Sequence, residues 1–333
     1  MKTVFPTTYS TLCPLALASL IAEKYHLTAV RCTFLLRGVG DTYLVETSGD
    51  RFVCRIYRSS HRSLPQIQEE VTLLLALKAA NVAVSYPITD TAGETIQQLP
   101  AAEGIRGMVL FSYAPGRSVK PLNGNQLKSL GREMARFHNV SATIAWGNSR
   151  WHFDTDTTLF KPLQLLAPFF SGDPESYACL QELARRANHR LSQLDASNCP
   201  TGYCHFDFLP KNIHFDGDAV TLFDFDFTGY GWVVNDLAVF WQHLAIEVFT
   251  RRMDEKAAKE AFATLLGGYR EHRSLSADEL AAVPYLALGF WLFYMGFHTT
   301  HDQFYAQLET AHLKVITGFL KHIADTYWQK EGF

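Results

Sequence analysis

The 333-residue chain is short of several things, and each shortage removes a class of protein. Its 30 basic and 33 acidic side chains leave a formal net charge of -3, so it lacks the basic excess that phosphate-backbone binding draws on, and no nucleic acid partner is expected. The six cysteines (Cys13, Cys32, Cys54, Cys179, Cys199 and Cys204) include no CxxC pair. A chain this long needs no disulfide staples, so they read as buried free thiols in a reducing, cytoplasmic setting. No apolar run reaches the roughly 18 to 20 residues that span a bilayer. The longest, Val283 to Phe297 with Pro284 at its start, reads as a buried helix, and no membrane association is expected. Near the start, Thr7 to Thr11 separate the charge of Lys2 from the apolar stretch Pro14 to Ala22. An amphipathic first helix ending near Glu23 and Lys24 fits that order better than a secretory leader. The 21 glycines and 13 prolines follow no period, and neither repeats nor low-complexity blocks occur, which excludes fibrous and solenoid architectures.

What is present is core material. Hydrophobic residues make up 47% of the chain and charged residues 19%, enough burial for about two domains and too little charge for disorder. Cys32 to Leu36, Thr42 to Glu46 and Arg51 to Tyr57 read as a three-stranded meander, followed by a helix over Leu64 to Ala79. Strand-like segments return at Val82 to Ile88, Glu94 to Gln98 and Met108 to Phe111. The turn chemistry of Ser112-Tyr113-Ala114-Pro115-Gly116 closes this β-rich part. Thereafter the period is helical: Asn125 to His138, Ser176 to Leu194, Asp236 to Thr250, Asp254 to His272, Ala277 to His298 and Gln303 to Tyr327. The expected class is therefore α+β, with a small β-rich region over 1–111, a hinge at 112–116 and a larger helical region over 117–333.

Between the helices, Thr201 to Tyr230 crowds histidine, asparagine and aspartates around two short apolar strands. Asp216-Gly217-Asp218 is a strong hairpin signal, and a hairpin brings its open ends together. Asn212 and Asp224 are thereby placed side by side, with Asp207 able to reach the same mouth. Carbonyl and carboxylate oxygens are the hard ligands that Mg²⁺ takes, and such a cleft suits a metal-bound triphosphate. Spacing alone leaves a second reading equally open, in which these are turn and cap residues.

The run His205-Phe206-Asp207-Phe208-Leu209-Pro210-Lys211-Asn212, followed by Asp224-Phe225-Asp226, resembles the catalytic core of the aminoglycoside phosphotransferase and choline kinase superfamily, relatives of protein kinases. Gly38 to Asp41 looks like the nucleotide-covering loop, Arg55 occupies the third-strand lysine position, Glu70 is in register with the pairing glutamate, Tyr113 to Gly116 resembles the hinge, and Asn235-Asp236-Leu237-Ala238 matches the aspartate-leucine element. The whole looks nearest the homoserine-kinase-like and stress-response-kinase-like branch.

The resemblance implies a bilobal protein-kinase-like fold and an ATP- and Mg²⁺-dependent kinase. Asp207 would orient an acceptor hydroxyl and take its proton, and Asn212 and Asp224 would hold Mg²⁺ against the phosphates. Gly38, Gly40, Arg55, Glu70, Ser112, Tyr113 and Ala114 would bind the nucleotide. His205 would be scaffolding, Asp226 a ligand of metal or acceptor or else a structural carboxylate, and Asp236 a helix N-cap; Lys211 has no assigned role. Other readings stand beside these: Arg55 as an edge-strand charge, the two glycines as a plain hairpin turn, and Glu69 in place of Glu70.

The expected acceptor is the hydroxyl of a small molecule, such as an amino alcohol, a polyol or an aminoglycoside-like compound. Phe290, Tyr294, His298 and His301 recur at helical spacing and would form one wall of its site, with Tyr230 and Trp232 opposite; an aromatic stripe of this kind equally suits a core. Phe206 in place of arginine, Asp226 in place of glycine and the missing Ala-Pro-Glu segment argue against a regulated protein kinase. The alternatives are a stress-response-type protein Ser/Thr kinase and a nucleotide-binding pseudokinase disabled by Arg55.

Overall fold

The structure, a computed structural model, describes residues 5–328; Lys2 lies outside them. It divides into two compact units, one formed by the chain up to Pro115 with Thr221–Phe223, the other by Gly116–Val220 and the chain from Asp224 onward. In the first unit, helix α1 (Pro14–Tyr25) starts on Pro14, where the missing N–H costs nothing. Strands β1 (Arg31–Arg37), β2 (Asp41–Glu46) and β3 (Arg51–Ile56) precede α2 (Leu64–Ala79), β4 (Ile96–Ala101) and β5 (Gly104–Ser112). The strands form one antiparallel sheet in the order β1-β2-β3-β5-β4. Alternation decides its faces: in β2 Asp41, Tyr43 and Val45 are buried, and Tyr43 and Val45 pack with Leu17, Ile21, Cys54, Ile56 and Leu110 in one core. A Ser63–Gln66 capping box opens α2.

Val82 to Ile88 departs from its expected strand. It makes only single bridges, Val84 to Leu222 and Pro87 to Phe111. Its N–H groups go to different places, Ser85 to the Leu222 carbonyl and Ile88 to that of Leu110, and Pro87 has no N–H with which to continue a ladder.

After β5 the chain forms α3 (Gly124–Ser141), β6 (His152–Phe153), α4 (Lys161–Leu166), α5 (Pro174–Leu191), β7 (Thr201–Cys204), β8 (Ile213–Asp216), β9 (Ala219–Leu222), β10 (Gly229–Trp232), α6 (Asn235–Phe249), α7 (Glu255–Arg270), α8 (Ala277–His298) and α9 (Thr310–Tyr327), all in the second unit except the last two residues of β9, which belong to the first. Strands β6, β10 and β7 make a small sheet, and β8 and β9 the expected hairpin. The expected helix over Gln303 to Tyr327 is interrupted, because Glu309 is extended (ψ 141°) between a 3-10 stretch, Asp302–Leu308, and α9. Helix α8 is apolar on all sides and long enough by composition to cross a membrane, but 78% of its most apolar window is buried within the protein, as befits a core helix. All six cysteines are free; Cys54, Cys199 and Cys204 are buried as expected, whereas Cys32 and Cys179 are half-buried and Cys13, at the cap of α1, is exposed.

Candidate active site

Strand β7 delivers the chain into the loop His205–Asn212, where Phe206 holds the left-handed backbone (φ 58°) that a bulky residue rarely adopts. Two interactions hold it there. The Asp236 carboxylate accepts the N–H groups of His205 (2.9 Å) and Phe206 (2.7 Å), and the Phe206 ring stacks on Phe153 with centroids 3.8 Å apart. Asp236 also meets His138 Nε2 at 2.9 Å, and His138 Nδ1 lies 2.7 Å from the Tyr269 hydroxyl. The expected N-cap role of Asp236 is thereby corrected: it is the second residue of α6 and its carboxylate is spent on the loop. His205 is buried and its Nδ1 accepts the Asp207 N–H at 3.2 Å.

The result is a carboxylate with two unlike oxygens. Asp207 Oδ2 accepts from Asn212 Nδ2 (2.7 Å) and lies 3.0 Å from Lys211 Nζ, whereas Oδ1 is buried with no hydrogen-bond partner. Burial pushes the Asp207 carboxyl above its ordinary range; Lys211 opposes this and Asp224 adds to it. Burial pulls the Lys211 ammonium down, but Asp207 and Tyr294 overcome that and hold it above the usual lysine range. Lys211 reaches the Tyr294 hydroxyl at 3.2 Å as well, a role that sequence reasoning missed although Lys211 stands four residues from Asp207.

Asn212 closes the 3-10 turn Pro210–Asn212. Its amide nitrogen is committed to the Asp207 carboxylate and carbonyl, which leaves its oxygen as the free end. Asp224 follows β9 in the left-handed conformation with an exposed side chain. Among the described residues no three His, Cys, Asp or Glu side chains converge on a metal position. An amide oxygen and one carboxylate instead fit an ion such as Mg²⁺, which keeps waters and takes phosphate oxygens. Asp226 is buried with Arg150, whose Nη1 donates to the Asp226 carbonyl (2.6 Å) and lies 4.0 Å from its carboxylate, an environment that favours the structural reading of this acid.

In the first unit, Glu70 is buried and accepts from the Tyr57 hydroxyl at 3.1 Å, and the Arg55 guanidinium stands 5.5 Å from the centre of the Tyr57 ring. Gly40 is a close-approach position, since a Cβ there would come within 2.8 Å of the Ile56 carbonyl oxygen. The Gly38 N–H donates to the Gly40 carbonyl at 2.9 Å. At the end of β5, Ser112 exchanges backbone and side-chain hydrogen bonds with Ser85 and Tyr86, Arg51 lies over the Tyr113 ring at 4.0 Å, and Ala114 is buried.

The sequence model of a phosphotransferase enzyme family matches residues 31–275, which include both of these regions. The chain belongs to this phosphotransferase family. An uncharacterized protein of Deinococcus radiodurans is 32% identical over 88% of this chain and 84% of its own length. A homoserine kinase of Methylobacterium radiotolerans is 25% identical over 83% of each, in keeping with the homoserine-kinase-like branch. An amicoumacin kinase solved in complex with AMP-PNP, Ca2+ and Ami superimposes with a TM-score of 0.75 at 22% identity, covering 94% of this chain and 93% of that one. These likenesses agree with the expected kinase-like fold of a β-sheet N-terminal and a helical C-terminal region. The family match makes the protein a phosphotransferase of the kinase type.

Lys211, the partner of Asp207, lines a cavity of about 420 Å³ together with Gln242, His243, Phe290, Tyr294, His298 and His312 among others. Three members of the predicted aromatic stripe meet there: Phe290 and Tyr294 have ring centroids 5.2 Å apart, and Tyr294 and His298 5.1 Å. His301 leaves the stripe because α8 ends at His298, and it packs on Phe297 instead. Tyr230 and Trp232 are not brought to this cavity. They lie on β10, where Tyr230 stacks on Trp146 and its hydroxyl is 3.3 Å from that of Thr201. Gln242, His243 and His312 come from α6 and α9, and no local pattern marks them in the sequence.

Proposed function

We propose that the protein transfers the γ-phosphoryl group of ATP to the hydroxyl of a small metabolite, with Asp207 as general base. The supporting observation is the asymmetry of that carboxylate: Oδ2 is fixed by Asn212 and Lys211, while Oδ1 is buried and unpartnered. A base held on one oxygen and bare on the other is oriented for a hydroxyl proton. The acceptor oxygen attacks the γ-phosphorus, the bond from phosphorus to the bridging oxygen of ADP breaks, and the proton passes to Oδ1. Asn212 and Asp224 would hold Mg²⁺, which when bound screens the phosphate charge. Arg55, steadied by the Tyr57–Glu70 pair, would grip phosphate oxygens bidentately. Gly38 and Gly40 would cover the phosphates, and Ser112, Tyr113 and Ala114 would receive the base of the nucleotide. The cavity faced by Tyr294 and His298 would take the acceptor, its volume suiting a metabolite the size of a polyol or amino alcohol.

Purified protein given ATP, Mg²⁺ and a panel of hydroxylated metabolites should release ADP only with particular acceptors. Label transferred to protein serine or threonine, or ATP bound without turnover on every acceptor, would overturn the reading.

A further inference from the structure

The polar run Thr7 to Thr11 precedes α1, and nothing in the proposed chemistry uses it. Residues 9–12 belong to no helix or strand, so contacts of individual groups fix their course. Those contacts gather on the two residues that flank the Gly38–Gly40 loop. Asp41, the first residue of β2, accepts from the Tyr9 hydroxyl. Arg37, the last of β1, donates to the Thr11 hydroxyl and stands over the Tyr9 ring at 4.5 Å. Arg37 and Asp41 are themselves cross-strand partners, 3.9 Å apart as an ion pair. Burial first, and then Asp41, raises the Tyr9 hydroxyl above its ordinary range, so it stays a donor. The strap has anchors beyond the loop as well. The Leu12 carbonyl accepts from the Tyr43 hydroxyl (2.8 Å), the Ser10 carbonyl from Arg106 (2.7 Å), and the Ser10 hydroxyl donates to Glu103 (2.6 Å).

We infer that residues 9–12 latch the Gly38–Gly40 loop, with Tyr9 the positioning residue, and thereby set the affinity for nucleotide. The inference rests on the reading of this loop as the cover of the phosphates and deepens it. Two glycines in three residues give the loop wide backbone freedom, and freedom lost on closing over a ligand subtracts from affinity. A loop held at both ends has less to lose. The tie at Asp41 is firm, because that carboxylate is fully buried against Arg106 at 3.1 Å. Arg37 is half exposed, and Tyr9 and Thr11 tie its guanidinium to the strap. The loop also abuts the candidate phosphate-gripping cation, since a Cβ added at Gly40 would lie 3.7 Å from Arg55 Nε; a loop that shifts therefore disturbs Arg55. A strap that only fastened this segment to the sheet would need its Tyr43, Arg106 and Glu103 anchors and no bond to either flank of the loop.

The test measures two things on the full chain: hydrogen exchange of the segment 37–41, and affinity for AMP-PNP with Mg²⁺ by titration calorimetry. Tyr9→Phe, which removes only the hydroxyl, should speed exchange of that segment and weaken AMP-PNP about fivefold, the size of one lost hydrogen bond. Thr11→Val, at an exposed position, should act in the same direction by about twofold, and it supplies the readout if Tyr9→Phe fails to fold. Ser10→Ala removes an anchor on Glu103 and leaves both loop contacts in place. It should lower the melting temperature and leave loop exchange and affinity at wild-type values. Wild-type exchange and affinity in both Tyr9→Phe and Thr11→Val, or an equal loss of affinity in Ser10→Ala, would overturn the inference. Protection of 37–41 by AMP-PNP in the wild type separates the two claims. If the nucleotide protects the loop and the variants still match the wild type, the latch falls and the nucleotide reading of the loop stands. If AMP-PNP binds without protecting the loop, that reading falls and takes the latch with it.

Discussion

Asp41 and Asp207 are both buried aspartates beside a tight turn, at 0% and 2% exposure, and their surroundings could hardly differ more. Asp41 is saturated. Its carboxylate accepts from the Tyr9 hydroxyl and pairs with Arg106 at 3.1 Å, and Arg106, itself fully buried, also donates to the carbonyls of Ser10 (2.7 Å), Tyr57 (3.1 Å) and Ile56 (3.3 Å). The Tyr9 ring is in turn covered by Arg37 at 4.5 Å and Arg58 at 3.9 Å. Asp207 has one oxygen held and the other bare. A buried charge surrounded by partners ties chain segments together, whereas one left half-satisfied in a native fold is a reserve of reactivity.

That contrast is broken first at Asp207. Asp207→Asn should lower kcat by about 10³-fold, within the range expected of a general base, while ATP affinity is kept and thermal stability is retained or rises, because a buried carboxylate that burial already disfavours is removed. Steady-state kinetics and a melting curve on one preparation check both halves. Turnover near the wild-type rate would end the assignment. The opposite pattern is expected at Arg106→Met, which takes the fully buried cation from Asp41 and leaves it the Tyr9 hydroxyl and the more distant Arg37. Breaking a fully buried pair costs about 3–5 kcal/mol, so urea unfolding should show a large loss, with kcat of the folded fraction near wild type.

Sequence pattern distinguishes these two acids only in part. The residue order from His205 to Asp226 was legible because turn chemistry and strand alternation are local: Asp216-Gly217-Asp218 does turn, with Gly217 at φ 60°, between β8 and β9. The bounds of α2 were legible for the same reason, with Pro65 inside its start and Ser63 capping it. What decides Asp236 is not local. An aspartate in the first turn of a helix reads as a cap, and only the return of β7 to the start of α6 gives its oxygens two other N–H groups to serve. The cavity shows the same limit, since Lys211 and His312 stand a hundred residues apart and meet through packing alone. The π and 3-10 turns over 156–170 also went unread, for short irregular turns carry no hydrophobic period.

A smaller effect sharpens the comparison within the first unit, where Arg55 is a cation beside the Tyr57–Glu70 hydrogen bond rather than one enclosed as Arg106 is. If Arg55 serves the nucleotide, Arg55→Met should raise the KM for ATP about tenfold and lower kcat, whereas Arg55→Lys keeps the charge and should be mild. Equal kinetics in the wild type and Arg55→Met would show that Arg55 belongs with Arg106 as a structural cation.

The smallest effect is a pH dependence that separates the scaffold from the chemistry. Burial lowers the pKa of His138 below the ordinary 6.5 despite the opposing pull of Asp236, and burial likewise lowers His243 and His298, each to about 4. A histidine whose folded pKa is depressed binds fewer protons folded than unfolded below pH 6.5. Its stabilising contribution is therefore complete above that pH and is lost as pH falls toward the folded value. The melting temperature should decline by a few degrees as pH is lowered from 7.5 to 5, with no matching decline on raising pH from 7.5 to 8.5. His138→Gln, which keeps a polar group near Asp236 and Tyr269 but cannot take a proton, should lower stability at pH 7.5 and flatten the slope below 6.5. A slope unchanged in His138→Gln would assign the acid sensitivity to His243 and His298, the other two histidines whose pKa values burial depresses.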